Sequence, residues 1–218
     1  MRYNKLPTRR KAALHWVLRA LLVLLLLFWL GPRCLTPEAA NRQELAMLAE
    51  LPETVCGIQG PEDNQQLYSW NDDYLCLGAY YRLRPWEWNC RSREIVQREE
   101  GRPFAAGVLD IPLQEGSEKP ETRWRRAWSI FGSVEDERVA IIRVEFEGDT
   151  GEGWEDDVIY RETVELTVAD MERHEGTPWF LCEIRPEQAL VGWGCVVRAF
   201  DVGGEHLGTL LALQQKWE

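Results

Sequence analysis

Residues 139–147 read VAIIRVEFE. Ala140, Ile142, Val144 and Phe146 fall on one side of an extended chain, and Arg143, Glu145 and Glu147 on the other. A period of two with one apolar and one charged face is the pattern of a strand buried on one side only. Residues 163–168 repeat it, with Val164, Leu166 and Val168 inward and Thr163, Glu165 and Thr167 outward. Further strands are expected at residues 74–83, 105–111, 124–131, 179–184, 194–201 and 207–213, separated by clusters of Gly, Pro, Asn and Asp. Residues 87–100 are the weakest stretch, readable as a helical turn or a strand end. Eight short strands predict a mainly antiparallel β-sandwich or open barrel whose acidic faces meet water. The polar segment 114–123, QEGSEKPETR, is either a long loop or a boundary between an aromatic-rich first part and a cleaner β second part. One domain is favoured, since about sixty residues before it would be marginal alone.

The amino-terminal end has a different character. Residues 12–30, AALHWVLRALLVLLLLFWL, are apolar except for His15 and Arg19. At 1.5 Å per residue they rise roughly 28 Å as a helix, close to the thickness of a hydrocarbon core. The chain is therefore expected to divide into a basic cytoplasmic tail (1–11), a transmembrane signal anchor (12–31), a stalk helix (34–52) and an acidic β-rich extracytoplasmic domain (53–218). A cleaved signal peptide is the alternative, but GPRCLTPEAAN offers no pair of small residues at the positions a signal peptidase needs. Arg33 before Cys34 argues against a lipidated cysteine. In the stalk, Thr36 is placed to cap, Pro37 fits the first turn and Pro52 stops the helix, with Leu45, Leu48 and Leu51 expected against the body.

Charge reinforces this division. The first 33 residues hold seven basic residues and no acid, so the remainder carries 18 basic against 36 acidic residues. The basic flank places the N-terminus in the cytoplasm and the body outside, at the cell membrane. Nucleic acid is excluded as a partner, because its phosphates need a basic footprint on the folded part. Membrane lipid, through residues 12–31, and an envelope protein or cell-wall glycan remain as partners.

In the second part, SIFGSVEDERVAIIRVEFEG, WFLCEI and VVRAFDVGGEHLG carry a resemblance. Residues 124–213 resemble small immunoglobulin-like β-sandwich domains on the outer face of single-pass membrane proteins and lipoproteins of Gram-positive bacteria. In those domains a G-x-V-x-D turn introduces a strand and an A-x-D-x-x-G hairpin closes the domain; Ala199, Asp201 and Gly204 sit at that closing pattern. The resemblance implies a fold and attaches no activity.

Candidate chemistry is sparse. A hairpin turning between Arg185 and Gly192 would set Cys182 opposite Cys195, as a cross-strand disulfide or as two buried thiols. Cys76 with Cys90 is the preferred pair among Cys56, Cys76 and Cys90. No C-x-x-C occurs and neither His174 nor His206 is spaced with a cysteine, so no zinc site and no cofactor is expected. The acidic loop from Glu147 to Asp157 reads as solvated, without the spacing of a calcium loop. No nucleophile motif appears, so the chain is not read as an enzyme. What could carry recognition is aromatic: Trp70, Tyr74, Tyr80, Tyr81, Trp86 and Trp88, flanked by Arg82, Arg84, Arg91 and Arg93. Of these Trp70, Tyr80, Tyr81, Trp86 and Trp88 are the candidate binding residues, with core filling as the competing role. The expected function is a non-catalytic, membrane-anchored interaction or ligand-binding module of the envelope. An envelope enzyme acting on glycan or peptide, or a structural accessory subunit of a membrane complex, is the alternative.

Overall fold

A computed structural model gives the fold, and it describes residues 8–29, 35–48, 50, 52–59, 64–84, 87–113, 126–149, 159–187 and 190–213. Helix α1 runs Thr8–Trp29 and α2 Pro37–Leu45. Among the described residues twelve strands follow: β1 Glu53–Gln59, β2 Gln65–Trp70, β3 Tyr74–Arg84, β4 Glu87–Gln97, β5 Phe104–Pro112, β6 Arg126–Val134, β7 Ile141–Asp149, β8 Ile159–Thr167, β9 Arg173–His174, β10 Thr177–Ile184, β11 Gly192–Phe200 and β12 His206–Leu213. They form three antiparallel sheets, with orders β1-β2-β3-β4, β5-β6-β10-β9 and β12-β11-β7-β8.

The second sheet lies between the other two, and its side chains divide strictly by parity. Phe104, Ala106, Trp128, Ile130, Val134, Phe180 and Ile184 pack against Ile142, Val144, Phe146, Cys195, Val197 and Ala199 of the third sheet. Ala105, Leu109, Ile111, Ala127, Phe131 and Trp179 pack against Tyr68, Trp70, Leu75, Leu77 and Ala79 of the first. A strand covered on both faces has no water-facing side to carry charge, so RAWSIFGSV in β6 is buried from Ala127 to Val134 without interruption. The outer strand β7 keeps the expected alternation, with Ile142, Val144 and Phe146 buried. The expected sandwich with water-facing acidic faces therefore describes the third sheet, while the middle sheet is covered on both sides.

The first sheet's outer face is closed by α2. The hydroxyl of Thr36 caps that helix by accepting from the Ala39 N–H (3.2 Å). Ala40 packs on Leu67 and Tyr80. Asn41 is buried and donates to Ser69 Oγ (2.7 Å) and Thr54 Oγ1 (3.2 Å), while its Oδ1 accepts from the Tyr80 hydroxyl (2.7 Å). Arg93 reaches across to the Glu44 carboxylate and carbonyl. The helix read as a stalk is thus part of the body, held by Leu45 and by this polar network; Leu48 is half-buried and Leu51 lies outside the described residues.

Residues 87–97, ambiguous in sequence, form an eleven-residue strand. Strand β5 pairs with β6, Pro112 opposite Arg126, and segment 114–123 lies outside the described residues. The closing hairpin has the expected turn chemistry. Asp201 Oδ1 accepts from the N–H groups of Gly203 (2.8 Å) and Glu205 (2.7 Å), and Gly204 takes a positive φ of 82° that a side chain would disfavour. In α1 every described side chain, Ala12 to Leu25, is exposed. Among the described residues no helix is long and apolar enough to cross a membrane.

Tyr68 joins two sheets: its ring stacks on Trp179 (5.1 Å, 21°), meets Phe131 edge-on (5.9 Å), and its hydroxyl donates to the Gly132 carbonyl (3.1 Å). Tyr68→Phe is expected to cost about 1 kcal/mol in urea denaturation, the worth of one hydrogen bond. Tyr68→Ala is expected to cost about 3–5 kcal/mol, as for other large aromatic truncations; equal losses would show that the ring does not bridge the sheets.

Candidate functional site

Because the three sheets are stacked, their outer strands β4, β5 and β12 end along one flank of the stack. A cleft of about 640 Å³ opens there, lined by Ser92 to Val96 of β4, Ala106 to Asp110 of β5, Trp193 of β11, and Leu210 and Leu211 of β12. Its depth depends on Gly107. A Cβ at that position would stand 2.5 Å from Val96 Cγ2 and 2.9 Å from the Phe131 ring. Without it β4 settles directly over β5, and the polar side chains of both strands are drawn under cover.

Three polar residues that line this half-enclosed space are Ser92, Glu94 and Asp110. Ser92 Oγ and Asp110 Oδ1 are buried with no hydrogen-bond partner among the described residues. The other carboxylate oxygen of Asp110 accepts from Arg126, its diagonal neighbour across the β5–β6 pair. Burial raises the Asp110 pKa above the ordinary carboxylate value, and the Arg126 charge and hydrogen bond oppose that rise. Burial alone raises Glu94. An unsatisfied buried acceptor costs about 1–3 kcal/mol, which a donor brought by a ligand recovers. Trp193 closes one side, stacked on Phe146 (5.8 Å, 12°) and tilted against Trp128 (6.0 Å), whose own indole N–H is buried with no partner among the described residues. The cleft therefore combines one aromatic wall, Trp193, with acceptors and a hydroxyl, a lining suited to a ligand rich in hydrogen-bond donors.

Of the aromatic residues singled out in the sequence, Tyr80 and Trp88 pack together and Trp70 lies on the other face of the first sheet. Trp70 is buried on the face toward the middle sheet, edge-on to His174 (5.0 Å) and under Arg98 (5.7 Å). Tyr80 is fully buried on the opposite face, beneath α2, with Trp88 and Cys90 beside it. Tyr74, Tyr81 and Trp88 are half-buried, and Trp86 lies outside the described residues. Arg82 sits over Trp88 (5.0 Å) and Arg91 over Tyr81 (5.1 Å), so each pairs with an arginine on its own. The alternation of β3 divides them, sending Tyr80 and Tyr81 to different faces. The residues of the cleft escaped sequence reading because Ser92, Glu94 and Asp110 lie on two strands that meet only through sheet stacking. The one local signal was FAAGVLD, where a carboxylate interrupts an otherwise apolar run.

The cysteines correct one expectation. Strands β10 and β11 are not hairpin partners: β10 pairs with β6 and β11 with β7 and β12, in different sheets. Cys182 and Cys195 both face the core between those sheets, and Cys76 stands opposite Ile95 while Cys90 stands opposite Tyr80. Cys56, Cys76, Cys90, Cys182 and Cys195 are free thiols. Among the described residues no group of three or more His, Cys, Asp or Glu is placed to hold a metal ion. Of the acidic loop, Glu147 pairs with Arg161 (3.0 Å), and residues 150–158 lie outside the described residues.

No protein-family profile, curated protein or solved structure matches this chain.

Two outcomes follow from the titratable groups. A carboxyl whose folded pKa exceeds its unfolded value holds its proton longer in the folded chain, so it lowers stability as pH rises through that interval. Glu94→Gln is therefore expected to raise the urea midpoint more at about pH 7.5 than at about pH 4; an unchanged midpoint at both would show that Glu94 is solvated. Burial pushes Cys182 and Cys195 up to about 12 and Cys56 and Cys90 to about 11. These thiols are expected to react with iodoacetamide at neutral pH at least about tenfold faster in urea than in buffer, followed by mass spectrometry, because the thiolate is the nucleophile.

Proposed function

We propose that this chain is a non-catalytic, membrane-anchored extracytoplasmic binding module of the cell envelope, which holds a hydroxyl-rich ligand such as cell-wall glycan in the cleft between β4, β5 and β12. The observation that carries the ligand class is the pair of buried, unpartnered oxygens, Ser92 Oγ and Asp110 Oδ1, beside desolvated Glu94. Sugar hydroxyls supply donors to such oxygens, and an aromatic wall offers a surface to the sugar ring.

The anchor rests on α1. Its side chains from Leu21 to Leu25 are each more than half exposed, an apolar surface that water disfavours and lipid tolerates. The basic flank before it favours a cytoplasmic N-terminus, leaving the −18 body outside. An immunoglobulin-like reading of β5–β12 is supported by strand order. Numbered within that unit the sheets run 1-2-6-5 and 8-7-3-4, the order of an immunoglobulin sandwich with one extra strand on the second sheet. It departs from antibody domains in the inter-sheet disulfide: Cys195 lies on β11, but β6 carries Trp128 and Ile130 where the partner cysteine would stand. Strands β1–β4 and α2 are an addition outside that unit.

A second reading, an envelope enzyme acting on glycan, is favoured by one observation. Glu94 and Asp110 line the same cleft, and burial raises both, the condition for a carboxyl that donates a proton near neutrality.

Co-sedimentation of the full-length chain with purified insoluble cell wall, in mild detergent, tests the proposal. A Ser92→Ala, Glu94→Gln double variant is expected to lose at least about tenfold in apparent affinity, whereas Trp88→Ala is expected to pellet like the parent. The reverse pattern would move recognition to the Arg82–Trp88 pair and overturn the cleft assignment. Release of reducing ends by the parent but not by Glu94→Gln would replace binding with hydrolysis.

A further inference from the structure

The opposite flank of the stack carries a second groove, of about 750 Å³, and it is built differently. Its base is β10. Strand β9 covers β10 only at Thr177 and Pro178, opposite His174 and Arg173. Beyond Pro178 no strand among the described residues pairs with β10 on the side away from β6. The Trp179 N–H already points that way, donating to the Glu172 carbonyl (3.0 Å). Leu181 and Glu183, in phase with Trp179, present their backbone N–H and C=O groups to the same open edge.

The outer strands of the neighbouring sheets wall this edge in. Cys56, Gly57 and Ile58 of β1 stand on one side, Glu165, Leu166 and Thr167 of β8 on the other, with Met171 beyond them. The groove is therefore one sheet deep and flanked by two apolar walls, the shape an extended chain fills when it continues a sheet. Its charge is one-sided. Glu165, Asp170 and Glu172 line it, and among the described residues no Lys, Arg or His does. Glu165 is engaged by Arg143 (2.6 Å) across β7 and β8, whereas Asp170 and Glu172 are exposed at the rim.

We propose that this groove takes an extended segment of a partner protein as an added strand on β10, with Lys or Arg side chains of that segment meeting Asp170 and Glu172 and alternate apolar side chains entering between Ile58 and Leu166. Charge excludes the obvious competitor: a second copy of a body carrying 18 basic and 36 acidic residues brings the wrong sign to an acidic rim. Backbone pairing supplies affinity and the rim selects for basic sequence. This site is independent of the glycan cleft, since the two grooves share no lining residue.

The test is fluorescence anisotropy of the full-length chain, in mild detergent, with a labelled nine-residue peptide alternating valine and lysine. Three comparisons accompany it: the same peptide N-methylated along one edge, a valine–glutamate peptide, and the Asp170→Lys, Glu172→Lys double variant. Both substitutions are at exposed positions, and far-UV circular dichroism checks that the fold is kept. Saturable binding of the lysine peptide is expected, abolished by N-methylation, absent for the glutamate peptide and at least about tenfold weaker in the double variant. Absence of saturable binding overturns the proposal, as does equal binding of the N-methylated peptide, which would reduce the contact to charge alone. Concentration-dependent self-association that the peptide fails to compete away would assign the groove to a second copy and overturn it equally.

Discussion

The stack depends on the middle sheet being covered on both faces, and Tyr68 is where that constraint is most tightly met. Its ring lies among Trp179, Phe131 and Trp70, and its hydroxyl takes the Gly132 carbonyl of the central strand β6. Gly132 leaves no alternative, because a Cβ there would come within 2.3 Å of the Ala105 carbonyl oxygen and 2.6 Å of the Phe180 ring. A residue that must admit the Phe180 ring on the third-sheet face and a backbone neighbour alongside has to be glycine, and its carbonyl meets Tyr68 from the first-sheet face. Arg98 reinforces the contact at the sheet margin: it clasps Glu135 with two hydrogen bonds (2.7 and 3.1 Å), donates to the Asn71 carbonyl (2.8 Å) and covers Trp70. The first sheet is thus fixed to the second by a buried ring and a partly buried ion pair.

Stacking three sheets has a consequence at the flanks. A two-layer sandwich leaves two edge strands on each side; three layers leave three, and the middle edge is recessed between the others. Recessed edges make grooves. On one flank the recess is lined by carboxyls and a hydroxyl under partial cover, on the other by an unpaired backbone edge below an acidic rim. Natural sheets blunt exposed edges with charge, and Asp170 and Glu172 serve that purpose against self-association while remaining open to a basic strand. The recessed edges are where recognition is proposed, while Tyr80 and Trp88 pack together beneath α2 and Trp70 packs between the first and middle sheets.

The outer sheet was readable from sequence because it obeys the simplest rule. VAIIRVEFE and TVELTV have one wet face, and the alternation of Val144 and Phe146 with Arg143 and Glu145 survives in the structure. The closing hairpin was also legible, since the turn at Asp201 to Gly204 is local chemistry. The middle layer was legible as strand but not as a middle layer: FAAGVLDIP and RAWSIFGSV lack a polar face, and nothing within either segment says which neighbour covers which side. Strands β1 and β2 were missed because they carry Gln, Ser and Thr, residues that look like loop until Ser69 and Thr54 are seen bonding to Asn41 of α2. The hairpin drawn between Cys182 and Cys195 failed for a related reason, since sequence neighbours such as β10 and β11 cross between sheets in this topology. The cleft residues Ser92, Glu94 and Asp110 gain meaning only once β4 is laid over β5, a relation set by Gly107 and Val96 at long range.

Hydrogen exchange measured residue by residue tests the buried middle sheet most directly. Amides of β6 are paired on both sides, by β5 and β10, and covered above and below. The account predicts that they exchange only through global unfolding, with a protection free energy equal to the stability from denaturant titration, while outer strands β8 and β12 exchange through smaller openings. Exchange of β6 as fast as that of β12 would contradict the three-layer stack and, with it, both grooves.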